Sequence, residues 1–313
     1  MEASSQSHWQ GRLALVVMLG LAAATACVLA LMWWKAPAAS AQVAASPEAV
    51  FVTRCNYSHR NMDDPIVFPG QPGAAHSHDF FANRSTKYNS TYQSLRAFSG
   101  TTQATKSGTT CVNAADKSAY WIPTVSWTNN SGTRKLTAGT ARFYYRSGGK
   151  GAVQPPPPGL KVVPNTHVNW RCAKVTALSS SPPTKCSSGA LVVAIRFPDC
   201  LAEDSNGQLL TDSSDHRLHM AYAELQPDGT RLCPASHPNP VATLTMEVTF
   251  NIGITSGMVK LSSDPQGAPP GSTMHADFFN AWDQQKLTAL VESCINAYPF
   301  SSANPKPAKC KQV

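Results

Sequence analysis

Eight cysteines, Cys55, Cys111, Cys172, Cys186, Cys200, Cys233, Cys294 and Cys310, run through the chain from just after an N-terminal apolar stretch almost to its end. An even set downstream of an export segment predicts four disulfides formed in an oxidising compartment, in a pairing that spacing alone leaves open. None of the eight has the C-x-x-C spacing of a zinc site. Because the cysteines are distributed over its whole length, residues 49–313 are expected to form one extracytoplasmic domain. Pro155–Pro158 is the best candidate for a boundary, but cysteine-bearing β-like segments flank it closely. It is read as a stiff polyproline surface loop.

The N-terminus sets the compartment. After a short tail (1–12), residues 13–34 carry no charge and include the ninth cysteine, Cys27. That run has about the 20 residues that a helix needs to cross a bilayer. Arg12 precedes it and Trp33-Trp34-Lys35 closes it, the aromatic and cationic flanks of a membrane interface. The expectation is a transmembrane signal-anchor followed by an Ala/Ser/Pro-rich tether (35–48). The rival is a cleaved secretory signal ending near Ala39-Ser40-Ala41, although the apolar core of such a signal is usually only about 7–15 residues. The membrane is thus the first expected partner. Cleavage would make the domain secreted.

Several segments show the period-two alternation of half-buried strands, most clearly Leu244, Met246, Val248, Phe250 and Ile252. Residues 119–127, 141–145 and 190–197 are aromatic or β-branched and are separated by Gly, Pro, Asn and Ser. After Asp277, residues Phe278, Trp282, Leu287, Leu290, Val291 and Cys294 recur near helical spacing. The fold class expected is mainly β: an antiparallel β-sandwich or jelly roll with a short C-terminal helix and long disulfide-tied loops. The net charge of +8 is dispersed without a basic run, so nucleic acid is not an expected partner. No G-x-S-x-G, phosphate loop or dinucleotide fingerprint is present, which leaves esterase, kinase and dehydrogenase readings unsupported.

Two polar clusters stand out, His76-Ser77-His78-Asp79 and Asp215-His216-Arg217-Leu218-His219. Imidazoles and carboxylates at this density move protons or bind metals. On a strand His76 and His78 share a face, so they could chelate one divalent ion with Asp79 or a distant carboxylate, or divide the work of base and positioning group. In an extended second cluster, His219, Arg217 and Asp215 point together, whereas a helix would instead put His216 and His219 together. The candidate catalytic set is therefore His76, His78, Asp79, Asp215 and His219, with His76, His78 and His219 as metal ligands. Arg217 suits a carboxylate or sulfate through its fork. Tyr222, His167, Trp121 and Tyr92 are added as substrate-binding candidates, Trp121 and Tyr92 as sugar platforms. His275 is expected at the start of the C-terminal helix.

The order of Cys55-Asn56-Tyr57, Asp63-Asp64-Pro65-Ile66-Val67, Pro69-Gly70, His76-Ser77-His78-Asp79-Phe80-Phe81, Ser90-Thr91-Tyr92 and Asp116-Lys117-Ser118-Ala119-Tyr120-Trp121-Ile122-Pro123 resembles the secreted family catalogued as domain of unknown function nineteen-ninety-six. Trp170-Arg171-Cys172, Phe197-Pro198-Asp199-Cys200, Asp215 to Tyr222, Cys233-Pro234, His237-Pro238 and His275 to Trp282 continue the resemblance in order. It implies export and, because fungal members are sometimes joined to carbohydrate-binding modules, a polysaccharide or cell-wall context. One departure is visible: Leu201-Ala202 stands where the family usually carries Trp-Asp. If that Trp stacked on a sugar, substrate choice would differ here.

Two classes of function follow. One is an enzyme acting on a cell-wall or extracellular polysaccharide. It would be a hydrolase with Asp79 and Asp215 as acid and base, a lyase with His as base, Tyr as acid and Arg217 on a uronate, or a metal-assisted version using His76, His78 and His219. The other is a non-catalytic carbohydrate- or metal-binding surface module.

Overall fold

The computed structural model describes residues 49–298, apart from 104 and 165, together with Cys310. The expected anchor and tether lie outside the described residues. Within them, no helix is long and apolar enough to cross a membrane.

Nine strands form the main sheet: β1 (Val50–Asn61), β2 (His78–Ala82), β3 (Ala119–Pro123), β4 (Thr140–Arg146), β5 (Lys161–Val162), β6 (Val168–Cys172), β7 (Ala190–Arg196), β8 (Thr243–Asn251) and β9 (Asp277–Phe279). Their order is β5-β9-β3-β2-β1-β4-β8-β7-β6, and every pairing is antiparallel. The two halves are joined through β1, whose first part pairs with β4 and whose last part pairs with β2 across a register shift between Tyr57 and His59. A bulge of this kind is how a long strand changes direction between two sheet layers. Tyr120 of β3 meets Phe143 of β4 with ring centroids 3.9 Å apart, and Phe278 of β9 at 5.0 Å. The side chains of the two halves therefore share one core.

The alternation in the sequence becomes the inner and outer faces of these strands. Met246, Val248 and Phe250 of β8 are fully buried while Thr245, Glu247 and Thr249 are only partly so. Residues 119–127 do not form one strand, because the Pro123-Thr124 step divides β3 from Val125–Asn129, which pairs into a separate three-stranded sheet. The helical pattern after Asp277 also divides. Phe278 and Phe279 pair in β9, and the helix begins only after Asp283, whose carboxylate caps the Lys286 amide. This helix covers Gln284–Val291 and runs on as a π turn over Glu292–Asn296.

All eight downstream cysteines are paired, as Cys55–Cys111, Cys172–Cys186, Cys200–Cys233 and Cys294–Cys310. Each joins neighbours along the chain, so the bridges tie loops to adjacent strands and to the C-terminal helix. They fit an exported domain in an oxidising compartment. The Cys172–Cys186 bridge closes a loop with a sequence separation of 14, a size for which chain entropy predicts about 3 kcal/mol. The Cys172→Ala/Cys186→Ala double variant should lose about that much in urea unfolding, with the slope of the transition showing any change in the denatured state.

Candidate functional site

The register of β2, β3 and β9 decides which side chains meet. His78 lies opposite Pro123, Phe80 opposite Trp121, and Trp121 opposite Asp277. Directly opposed residues and residues two apart on a strand share a face. His78, Phe80, Trp121 and Asp277 therefore project together, away from the main core. That second face is filled by Ile66, Phe80, Leu95, Trp121, Val163 and Phe279. Asp79, Phe81, Tyr120 and Phe278 take the opposite face.

The loop 62–77 folds over the second face and brings the remaining groups to it. Asp63 accepts the Gly73 amide at 3.0 Å, and Gly73 takes the left-handed backbone (φ 71°) that the turn needs. Asp64 Oδ1 accepts the amides of Ile66 and Val67 at 2.8 and 2.9 Å. Ser77 is pinned to Thr124 through both side chain and backbone. His76 is thereby held over His78, with ring centroids 4.2 Å apart. His275, just ahead of β9 rather than at a helix start, completes a triangle at 5.2 Å from His76 and 5.9 Å from His78.

The nitrogens that face inward are defined by the bonds the others make. His78 Nδ1 lies 3.1 Å from the Asp63 carbonyl and His275 Nδ1 lies 2.9 Å from the Thr273 carbonyl. A carbonyl only accepts, so each Nδ1 carries the proton and each Nε2 keeps its lone pair. Nε2 of His76 and of His78 is buried without a partner, as are both carboxylate oxygens of Asp277. One candidate ligand atom from each of His76, His78 and His275 lies within 4.8 Å of the other two. The same holds for Asp64, His78 and Asp277. His275 Nε2 is 3.7 Å from Asp277 Oδ2.

Burial governs the protonation of these groups. It pushes His78 well below the usual imidazole range, helped by His76 and His275. His275 is pushed down to about 4, and His76 is lowered by burial alone. Asp277 is raised well above the usual carboxylate range by burial and by the neighbouring Asp64, which burial raises in turn. Three neutral imidazoles beside two buried carboxylates can accept protons or donate electron pairs to a cation.

The other residues expected at a site are distributed differently. Asp79 is fully buried on the main-core face, bonded to Arg60 Nη2 at 3.0 Å and to Thr124 at 3.2 Å. The odd step along β2 separates it from the imidazoles. Asp215 accepts from the amides of Arg217 and Leu218 and from Ser213, bonds that cap a turn and hold its pKa down to about 2. His219 is buried, with Nδ1 at Ser213 and Nε2 donating to the Lys161 carbonyl at 2.7 Å. Both of its ring nitrogens are occupied. Arg217 donates Nε to the Val163 carbonyl, and its charge acts on both His275 and Asp277. It brings the second cluster to the rim of the first.

Trp121 is fully buried and part of the packing, not a sugar platform. Tyr222 stacks on His167 at 3.9 Å, has Arg196 over its ring at 5.7 Å and donates to the Arg196 carbonyl, so its faces are covered. Tyr92 differs. With Tyr88, Asn89, Gly159, Lys161, Pro65 and Phe279 it lines an open cleft of about 580 Å³. None of the imidazoles lines this cleft; it is linked to the centre through Pro65, which follows Asp64, and through Phe279, two residues beyond Asp277 on the same face of β9. Leu201, in the place of the family's usual Trp, is fully buried. That position packs the core and gives no stacking surface.

His275, Asp277 and Asp64 were not selected from the sequence. The signal was present as His275-Ala276-Asp277, the same i, i+2 spacing as His76-Ser77-His78. Comparing Asp277-Phe278-Phe279 with Asp79-Phe80-Phe81 conceals it, because the pair that shares a face is Asp277 with His78.

The model of the family described as domain of unknown function (DUF1996) matches residues 64–282. The chain belongs to this family. The matched segment begins at Asp64 and includes His76, His78, His275 and Asp277, so the whole candidate centre lies within the family domain. No curated protein and no solved structure matches the chain.

Proposed function

We propose that this DUF1996 domain acts on a cell-wall or extracellular polysaccharide, as a hydrolase or lyase, held at the membrane by residues 13–34. The observation that carries the reading is the convergence of His76, His78, His275, Asp64 and Asp277, with an open cleft linked to it through Pro65 and Phe279. His76 and His275 retain some exposure at the rim. His76 has its Nε2 free and its pKa lowered by burial, so at physiological pH it is neutral and holds a lone pair open to a proton or a cation. Arg217 stands where it can neutralise the carboxylate of an acidic sugar. Tyr88 and Tyr92 offer half-buried rings to the apolar face of a pyranose. The reading also draws on the export implied by the disulfides and the carbohydrate context implied by the family resemblance.

The cleft alone favours a second reading, a carbohydrate-binding module without turnover. One experiment separates the two. The full chain is incubated with a panel of neutral and acidic wall polysaccharides while binding and chain shortening are followed together. The expected result is shortening of at least one polysaccharide and, for Tyr92→Ala, about 3- to 10-fold weaker binding of it, the equivalent of losing one aromatic contact. Binding without shortening would leave the module. No binding anywhere in the panel would reject both readings.

A further inference from the structure

We propose that His76, His78, His275 and Asp277, with Asp64 as a further carboxylate, form a binding site for a single divalent transition-metal ion of the zinc class. The proposal deepens the reading above by naming the cofactor of the same centre, and it stands or falls on measurements that need no polysaccharide.

Three observations carry it. The first is orientation. His78 and His275 each donate Nδ1–H to a backbone carbonyl, which fixes the tautomer and aims the Nε2 lone pair away from that carbonyl, the arrangement found behind metal-bound histidines. The second is unmet demand. His78 and Asp277 are completely buried, yet Nε2 of His78 and both oxygens of Asp277 have no hydrogen-bond partner, and Nε2 of His76 shares this state. Buried polar atoms are rarely left so, and four such atoms grouped around His78 ask for one common partner. The third is charge. Asp64 and Asp277 are buried close together, and among the described residues neither has an ion pair with a lysine or arginine. A divalent cation balances both carboxylates at once.

The donor set selects the ion. Three imidazoles with one carboxylate suit zinc or a neighbouring first-row metal, whereas calcium and magnesium prefer an all-oxygen shell. The candidate ligand atoms of His76, His78 and His275 lie within 4.8 Å of one another, and Asp277 joins through a second such group that shares His78. Side-chain rotations would close the set to the roughly 2.0–2.2 Å bonds of zinc to nitrogen and oxygen. His219 is no member of the set, because the Lys161 carbonyl and Ser213 already occupy its ring.

The test uses the full chain, purified in detergent, treated with chelator, dialysed and titrated with Zn²⁺ by calorimetry, with Co²⁺ absorption as a second readout of the ligand geometry. One equivalent of Zn²⁺ should bind, and Ca²⁺ should not compete. His78→Ala should weaken binding by at least 100-fold, Asp277→Asn by at least 10-fold, and His219→Ala should leave it unchanged. Should His78→Ala fail to fold, the partly exposed His275→Gln replaces it with the same expected loss. Failure of the chelated wild-type chain to bind Zn²⁺, or undiminished binding by a folded His275→Gln variant, would overturn the metal site. Either result would leave the proposed enzymatic role standing, because the polysaccharide panel tests that role separately.

Discussion

His76→Ala is expected to lower polysaccharide turnover by about 10²–10⁴-fold, a loss of the size that removing an acid–base group causes, because it takes one lone-pair donor out of the centre. Its stability should change little. His76 is only partly buried and its Nε2 makes no hydrogen bond, so truncation strands no partner. A packing role predicts the reverse, unaltered turnover with a lowered melting temperature. Activity on the polysaccharide that the wild type shortens, together with the melting temperature of each protein, decides between them. A value of kcat reduced together with kcat/KM would place the His76 contribution in the transition state and not in binding.

Arg60→Ala should lower stability by about 3–5 kcal/mol, because it leaves the Asp79 carboxylate buried without its counter-charge. Asp79 is fully enclosed and takes two bonds from Arg60, whose guanidinium also reaches the Leu136 carbonyl at 2.6 Å. The side chain of Arg60 keeps 23% of its exposure while that of Asp79 keeps none. The asymmetry matters: in Asp79→Ala the arginine can turn to water, so that variant should lose less. Urea midpoints of the two single variants and the double variant give the coupling directly. Equal, small losses in all three would remove Asp79 from the scaffold and reopen a role for it in chemistry.

This pair also explains why the sequence was only partly legible. The alternation of β8, the even cysteine set and the closeness of His76 to His78 were all local patterns, and local patterns survive folding because strand geometry preserves them. The antiparallel, mainly β character followed from them. What could not be read locally was partnership. Asp79 lay beside His78 in the chain, but one step along a strand carries it to the other face, to meet Arg60. His219 lay in a cluster dense enough to resemble a site, yet its ring nitrogens are satisfied by Ser213 and by the backbone of β5. Conversely, Asp277 joins His78 only because β3 stands between β2 and β9 and sets their register. Asp64 arrives through a loop held by its own side-chain caps. A helical spacing read through Phe278 hid the strand that presents Asp277, since aromatic residues at intervals of four serve a strand and the following helix equally well.

The most direct test of the centre is turnover by His275→Gln set beside His219→Ala, each with circular dichroism and melting as controls for the fold. If His76, His78, His275 and Asp277 act together, His275→Gln loses turnover to the same extent as His76→Ala while His219→Ala keeps its activity when folded. Full activity in a folded His275→Gln variant, with activity lost in a folded His219→Ala variant, would contradict the account and return the chemistry to the second cluster.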